Sequence, residues 1–316
     1  MMDAILSAFI VIILGFLVGR RFPGKKGWSA ALINHYVMYV SLPALLFLPV
    51  AQSRVEDLLN VPFVMGTLCG IAACYMLGSI LARWLGEGRE GASLVGMACS
   101  YGTTGYMGVP LLLGVFGEKA ALPAAMATVL HNIPGLMAVV VSQERWRQKG
   151  SGSWGELFRA SFAVLKNPLM VSVVVGVFFS VSDVKVPQTL ASLSGFLGAA
   201  AGPTALFSLG FGLAGMSLSA RETLGSLGPA VWVTSIKLLV QPCVTMLVII
   251  VLGVSLTDIW AVVALVMAAQ PVGAGAYVFA TQYGRFASQT SLAIIVSMLL
   301  SLLTIPLILH LSSASS

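Results

Sequence analysis

Apolar residues along this chain come in long runs, and charged residues gather in the short intervals between them. Ten runs approach the ~20 apolar residues that an α-helix needs to cross a bilayer. They cover 4 to 19, 30 to 51, 61 to 83, 91 to 115, 120 to 142, 167 to 182, 189 to 218, 229 to 253, 258 to 283 and 288 to 311. Barrel strands would be about ten residues long and alternate in polarity; these runs are longer and apolar all round. The pattern predicts an all-α polytopic membrane protein with ten transmembrane helices.

Two of the runs are interrupted. In the fourth, Ser100-Tyr-Gly-Thr-Thr-Gly-Tyr-Met-Gly-Val-Pro110 leads on to Phe116-Gly117; in the ninth, Met267-Ala-Ala-Gln-Pro-Val-Gly-Ala-Gly-Ala-Tyr277 leads on to Tyr283-Gly284. Gly, Pro and small polar residues stand where an unbroken span would carry Leu and Val. Paired Gly/Pro-interrupted spans in corresponding positions of two halves point to a transporter's binding site.

The halves themselves are visible. The longest polar connection, Gln143 to Asn167, divides the runs five and five, giving a first repeat at 1–142, a linker at 143–166 and a second repeat at 167–316. An offset of 167 residues superimposes Pro62 on Pro229, Gly105 on Val272, Gly108 on Gly275, Phe116 on Tyr283 and Gly117 on Gly284. Nearer the start of each half, Pro43 meets Pro203 at an offset of 160. Because each half has an odd number of helices, two similar halves must lie in the membrane with opposite orientation.

Composition agrees: 58% of the 316 residues are hydrophobic and 9% charged, against about 25% charged in soluble domains. The net charge of +6 reports orientation rather than nucleic acid. With the amino terminus outside, the inner connections hold Arg20, Arg21, Lys25, Lys26, Arg83, Arg89, Arg145, Arg147, Lys149, Arg159, Lys166, Arg221 and Arg285, and the outer ones only Arg54, Lys119 and Lys185. That bias puts both termini on the non-cytoplasmic side. Asp3 precedes the first run and basic residues follow it, which predicts a retained helix rather than a cleaved leader. Cys69, Cys74, Cys99 and Cys243 lie within runs without metal-ligand spacing and read as packing residues.

Unwinding a helix in a bilayer frees backbone groups that cost several kcal/mol each unless they face a polar cavity or packed protein. Pro271 removes a donor and disfavours helix at Gln270, and Gly102, Gly105, Gly108, Gly273 and Gly275 let another main chain come close. If both spans break here, their second halves begin near Gly105 and Gly273 and aim positive ends at a common point. Such a point suits an anion, typically a carboxylate. Candidate substrate-binding residues around it are Thr103, Thr104, Gly105, Tyr106, Gln270, Pro271, Val272, Gly273 and Tyr277, with Asn132 of the fifth run.

No Asp or Glu lies deep in a run, which argues against a carboxylate proton relay or a charged sodium cage. Candidates for a charge or coupling role are Lys237, His131 and His35, an unperturbed His titrating near neutrality. Lys237 sits about 12 Å into the eighth run, counting ~1.5 Å per residue from Pro229; it can reach a cavity or snorkel toward the cytoplasmic interface. No paired aspartates or His-Glu-x-x-His motif support an enzyme. No cofactor is expected, and coupling to H+ or Na+ is left open.

At the two interrupted runs the chain resembles the auxin efflux carrier family, which includes plant auxin exporters and bacterial malonate-type permeases. Gly105-Tyr-Met-Gly-Val-Pro-Leu-Leu112 with Phe116-Gly117 looks like the family's Gly-aromatic-x-Gly-x-Pro-Leu segment, and Ala268-Ala-Gln-Pro-Val-Gly273 with Tyr277-Val-Phe-Ala-Thr-Gln-Tyr-Gly284 like its second crossover. Leu32-Ile-Asn34, Ser41-Leu-Pro43, Lys237-Leu-Leu-x-x-Pro242 and Ser301-Leu-Leu-Thr-Ile-Pro306 also fit. Thr103 stands where many members carry Asn, and Gly102 where the plant carriers have proline. The resemblance implies a scaffold of spans one, two, six and seven, and a moving domain bearing crossed helices four and nine. It further implies an elevator-like secondary carrier of small organic anions such as malonate in a bacterial inner membrane. The partners expected are the anion and the lipid bilayer, not nucleic acid, with a homodimer as an open arrangement. The competing readings are a membrane-embedded sensor that signals through the 143 to 167 loop, and an anion channel.

Overall fold

A computed structural model describes residues 2–22, 30–58, 60–147, 168–182, 184–215 and 220–314. The proposed linker therefore lies outside the described residues beyond Arg147, as do Lys25, Lys26, Lys149, Arg159 and Lys166. Among the described residues the chain is helical and carries no strand.

The first half contains α1 (Met2–Arg21), α2 (Ala30–Tyr36), α3 (Leu42–Ala51), α4 (Val55–Leu58), α5 (Val61–Trp84), α6 (Arg89–Ser100), α7 (Val109–Phe116) and α8 (Ala121–Arg147). The second contains α9 (Pro168–Val181), α10 (Gln188–Ala199), α11 (Ala201–Ala214), α12 (Ala220–Ser235), α13 (Gln241–Val251), α14 (Ile259–Ala268), α15 (Ala274–Gln282) and α16 (Ala287–Ala314). Among the described residues, six stretches are long and apolar enough to cross a membrane: Leu32–Ala51, Val61–Trp84, Thr104–Gln143, Gln188–Ala214, Leu224–Val251 and Ala287–Leu311. Large apolar side chains face outward along them, as Met65, Met76, Leu77 and Ile80 do on α5, and likewise Leu6, Ile10, Ile13 and Leu17 on α1. Such surface would aggregate in water and is what lipid tails solvate. The chain is an integral membrane protein.

Among the described residues, three joints between consecutive helices are π turns: Val37–Ser41, Thr104–Gly108 and Ile236–Val240. Each ends two residues before a proline, at Pro43, Pro110 and Pro242. A proline ring lacks the N–H and clashes with the carbonyl four residues back, so the ladder must widen ahead of it. The wider step is seen just before two of them, where Leu42 N–H reaches Val37 O and Gln241 N–H reaches Ile236 O. Helices therefore continue through these prolines but change the face they present.

The elements form two compact units. One holds α1 to α4, the segment from Thr104 through α7 to Val129, and α9 to α11; the other holds α5, α6 with residues 101–103, α8 from Leu130, and α12 to α16. In the first unit α1 and α11 touch backbone to backbone. A methyl group placed on Gly210 would stand 1.9 Å from the Ile12 carbonyl oxygen, and one on Gly15 2.2 Å from that of Phe207. Small residues let membrane helices approach this closely, which replaces the hydrophobic drive that lipid cannot supply. In the second unit α5 packs on α6 and on α13, with Thr245 and Gln241 of α13 against Gly70.

Candidate functional site

In the second unit both interrupted runs unwind where Gly and Pro predict. α6 stops at Ser100 and Tyr101 turns extended (φ −86°, ψ 119°). α14 is started by Asp258, whose carboxylate accepts the N–H groups of Trp260 and Ala261 at 2.8 and 3.4 Å, and it stops at Ala268. Helix resumes as α15 at Ala274, with Gly273 in extended conformation as its N-cap and no side chain capping it.

The two unwound segments pair antiparallel through Gly102 and Val272. Thr103 N–H donates to Pro271 O at 3.0 Å and Gly273 N–H to Tyr101 O at 2.9 Å. The Val272 N–H is taken by Ser297 Oγ of α16 at 3.0 Å. The Thr103 hydroxyl donates to the Val272 and Pro271 carbonyls at 3.2 and 3.4 Å. Each break thus supplies the partners the other has lost, which answers the cost of unwinding away from water. Thr103 acts here as a brace between the segments.

Around this contact the side chains are largely neutral. Tyr101 lays its ring against the start of α15: a methyl on Gly273 would be 2.6 Å from the ring and one on Gly275 2.8 Å. Its hydroxyl donates to Asn132 Oδ1 at 2.6 Å. Tyr277 is half-buried on α15. Gln270 is fully buried; its Nε2–H donates to Val266 O at 3.1 Å, and its Oε1 has no hydrogen-bond partner among the described residues. His131, also buried, accepts from Gln241 Nε2 at 3.4 Å.

Lys237 does not snorkel. It is 0% exposed, and its Nζ donates to the carbonyl of Ala268, the last residue of α14, at 2.6 Å. The last turn of a helix carries unpaired carbonyls and partial negative charge, so this amine caps the end that the break exposes. A methyl on Gly102 would come within 3.2 Å of Nζ and 3.3 Å of Gln270 Cβ. Depth along the helix allowed either destination for Lys237; the π turn at 236–240 determines the face.

The remaining candidates belong to the first unit, which the chain enters at Thr104. Helical structure resumes there, one residue before Gly105, as a π turn. Thr104 is 1% exposed and its hydroxyl has no partner among the described residues. Gly105 has Leu42, Thr128 and Leu169 at ordinary contact distance. The Tyr106 hydroxyl donates to Asn34 Oδ1, and the His35 ring stacks on Tyr39 with centroids 5.7 Å apart. Tyr101 was not among the residues singled out from sequence; its signal was three glycines, Gly135, Gly273 and Gly275, that leave room for one ring.

Residues 1–150 and 157–309 match the profile of a family described as "Membrane transport protein". A "Putative malonate transporter" of Rhizobium meliloti (strain 1021) is 30% identical over 97% of this chain and 94% of its own length. An "Uncharacterized transporter" of Methanothermobacter thermautotrophicus (strain Delta H) is 26% identical over 96% of both. A second archaeal relative, from Methanocaldococcus jannaschii, is also named an uncharacterized transporter and is 29% identical over 44% of this chain and 45% of its own.

Proposed function

Because the chain belongs to the membrane transport protein family, that of the auxin efflux carriers, we propose that it is a secondary carrier of small organic anions. Its membrane part is ten spans in two inverted halves of five, with both termini outside the cytoplasm of a bacterial inner membrane. The substrate carboxylate is held beside the paired breaks, where the positive end of α15 and neutral donors favour negative charge. An elevator-like step of the unit bearing that contact carries it across.

The observation that carries this reading is the antiparallel pairing of Gly102 with Val272. Two unwound segments that satisfy one another's backbone, with a helix starting at their contact, are how transporters hold a polar ligand in an apolar medium. The grouping of α1 to α3 with α9 to α11 in one unit supports a scaffold of spans one, two, six and seven, while α7, the second half of span four, falls in that same unit rather than with span nine. The name of the Rhizobium relative supports malonate as the first substrate to try. An inside-negative potential is worth ~2.3 kcal/mol per charge per 100 mV, enough to drive anion export without a coupling ion.

The test is flux of labelled malonate, other short carboxylates and indole acids in proteoliposomes. Movement of at least one short carboxylate is expected under an imposed potential. Failure of every anion under pH, sodium and voltage gradients alike would sink the proposal.

A further inference from the structure

We propose that the first unit holds an anionic glycerophospholipid, with one acyl chain in an apolar groove between α1, α2 and α11 and the phosphate on Arg21. The groove belongs to the first unit, whereas the paired breaks belong to the second; it takes a hydrocarbon chain, not a carried anion.

The groove has a volume of about 580 Å³. Val11 of α1, Leu32 and Tyr36 of α2, and Pro203, Thr204 and Phe207 of α11 line it, and the lining surface is apolar throughout. It exists because α1 and α11 meet at Gly15 and Gly210, too close to admit anything between them, while α2 packs against α11 rather than along α1. Thr204 turns its hydroxyl back on its own helix, to Ala200 O at 2.5 Å and Ala201 O at 3.3 Å, and Pro203 has no N–H to give. Such walls offer a carboxylate nothing. An alkyl chain restores the dispersion contacts that an unfilled groove forfeits.

Charge selects the lipid. Val11, Leu14, Val18 and Arg21 follow one another at three, four and three residues, so they share one face of α1. At ~1.5 Å per residue, Arg21 stands about 15 Å along the helix from Val11, the depth of one leaflet in a hydrocarbon core ~30 Å thick. A phosphate at Arg21 therefore sets its chain at the height of the groove. Arg21 is exposed, lies over the Phe22 ring at 5.6 Å, and has no carboxylate partner among the described residues. Its planar guanidinium suits a phosphate. Arg20 is nine residues from Val11, about two and a half turns, and so lies on the opposite face, over Phe16 at 5.7 Å. A second copy of the chain seated in the groove would leave Arg21 without an anion.

The test uses the purified, delipidated full chain in detergent, without substrate, so that its outcome is separate from whether any anion is carried. Dioleoyl phosphatidylglycerol or dioleoyl phosphatidylcholine is added and melting temperature is followed. Wild type should gain stability saturably, as a bound ligand requires, and at a lower mole fraction of phosphatidylglycerol than of phosphatidylcholine. Arg21→Gln should raise the half-saturating mole fraction of phosphatidylglycerol about fivefold. Arg20→Gln removes the same charge from the opposite face and should stay close to wild type. Both positions are exposed, so neither variant disturbs a core. Val11→Phe, which fills the groove, should lose the gain with both lipids; Leu32→Trp, at a position 69% exposed, is the second filling variant and should do the same. Equal saturation of wild type by the two lipids, or no saturable gain at all, would overturn the proposal. Equal weakening by Arg20→Gln and Arg21→Gln would reduce it to surface attraction and overturn it too. Filling variants that bind lipid like wild type but pass from dimer to monomer would give the groove to a second copy instead.

Discussion

Gly273→Ala is expected to lower transport about tenfold or more, to leave membrane insertion intact and to lower the melting temperature by several degrees. Gly273 has φ −81° and ψ 143°, a conformation any residue adopts, so alanine meets no backbone strain. What it meets is matter: its Cβ would lie 2.6 and 2.7 Å from the Tyr101 ring and 3.0 Å from the Gly102 carbonyl carbon. The ring cannot simply swing aside, because its hydroxyl is held by Asn132 at 2.6 Å, a bond worth ~1 kcal/mol. Overpacking of this kind typically costs ~1–3 kcal/mol, and ~1.4 kcal/mol at the step that needs the paired geometry is a factor of ten. Flux in proteoliposomes measures it. Adding Tyr101→Leu removes the ring but not the contact with Gly102, so the double variant should recover part of the loss; no recovery would show that the ring is not the obstacle.

The second large effect is on stability. Gly210→Ala should melt well below wild type although alanine is the better helix former by ~1 kcal/mol. The added methyl would stand 1.9 Å from the Ile12 carbonyl oxygen where ordinary contact begins at 3.4 Å, so α1 and α11 must part by roughly 3.4 − 1.9 = 1.5 Å. Separation along a whole helix pair should reach the upper end of overpacking costs, about 3 kcal/mol, a fall of about 6–12 °C in melting temperature. Gly212, on the same helix, has nothing within 4 Å of an added methyl. Gly212→Ala should therefore melt at or slightly above wild type. Opposite signs at two glycines on one helix distinguish close packing from helix propensity; equal shifts would refute the packing account.

Much of the secondary structure was legible because a membrane helix is written in composition. The run predicted at 61 to 83 is the helix Val61–Trp84, and that at 288 to 311 lies within Ala287–Ala314. The interruptions were legible because Pro271 disfavours helix at Gln270 and the surrounding glycines let the backbone unwind, and helix ends at Ala268 and resumes at Ala274.

The rest depended on direction, which periodicity does not encode once a helix contains a π turn. Lys237 could be placed in depth but not in azimuth, and its burial against Ala268 O follows from the turn ahead of Pro242. Thr103 and Thr104 look equivalent in the sequence. One hydroxyl braces the Pro271 and Val272 carbonyls and the other is buried without a partner among the described residues of the other unit. Tyr101 carries no signal as an aromatic on its own; the signal lies in the distant Gly135, Gly273 and Gly275 that make room for its ring.

Counterflow tests the central claim most directly. Proteoliposomes preloaded with unlabelled malonate and clamped at zero potential are given external labelled malonate at trace concentration. A carrier whose anion site lies at the paired breaks predicts accelerated, saturable entry of label in wild type and Gly212→Ala, reduced about tenfold in Gly273→Ala. Entry that is indifferent to internal anion for every short carboxylate tried, or counterflow untouched by Gly273→Ala, would contradict it.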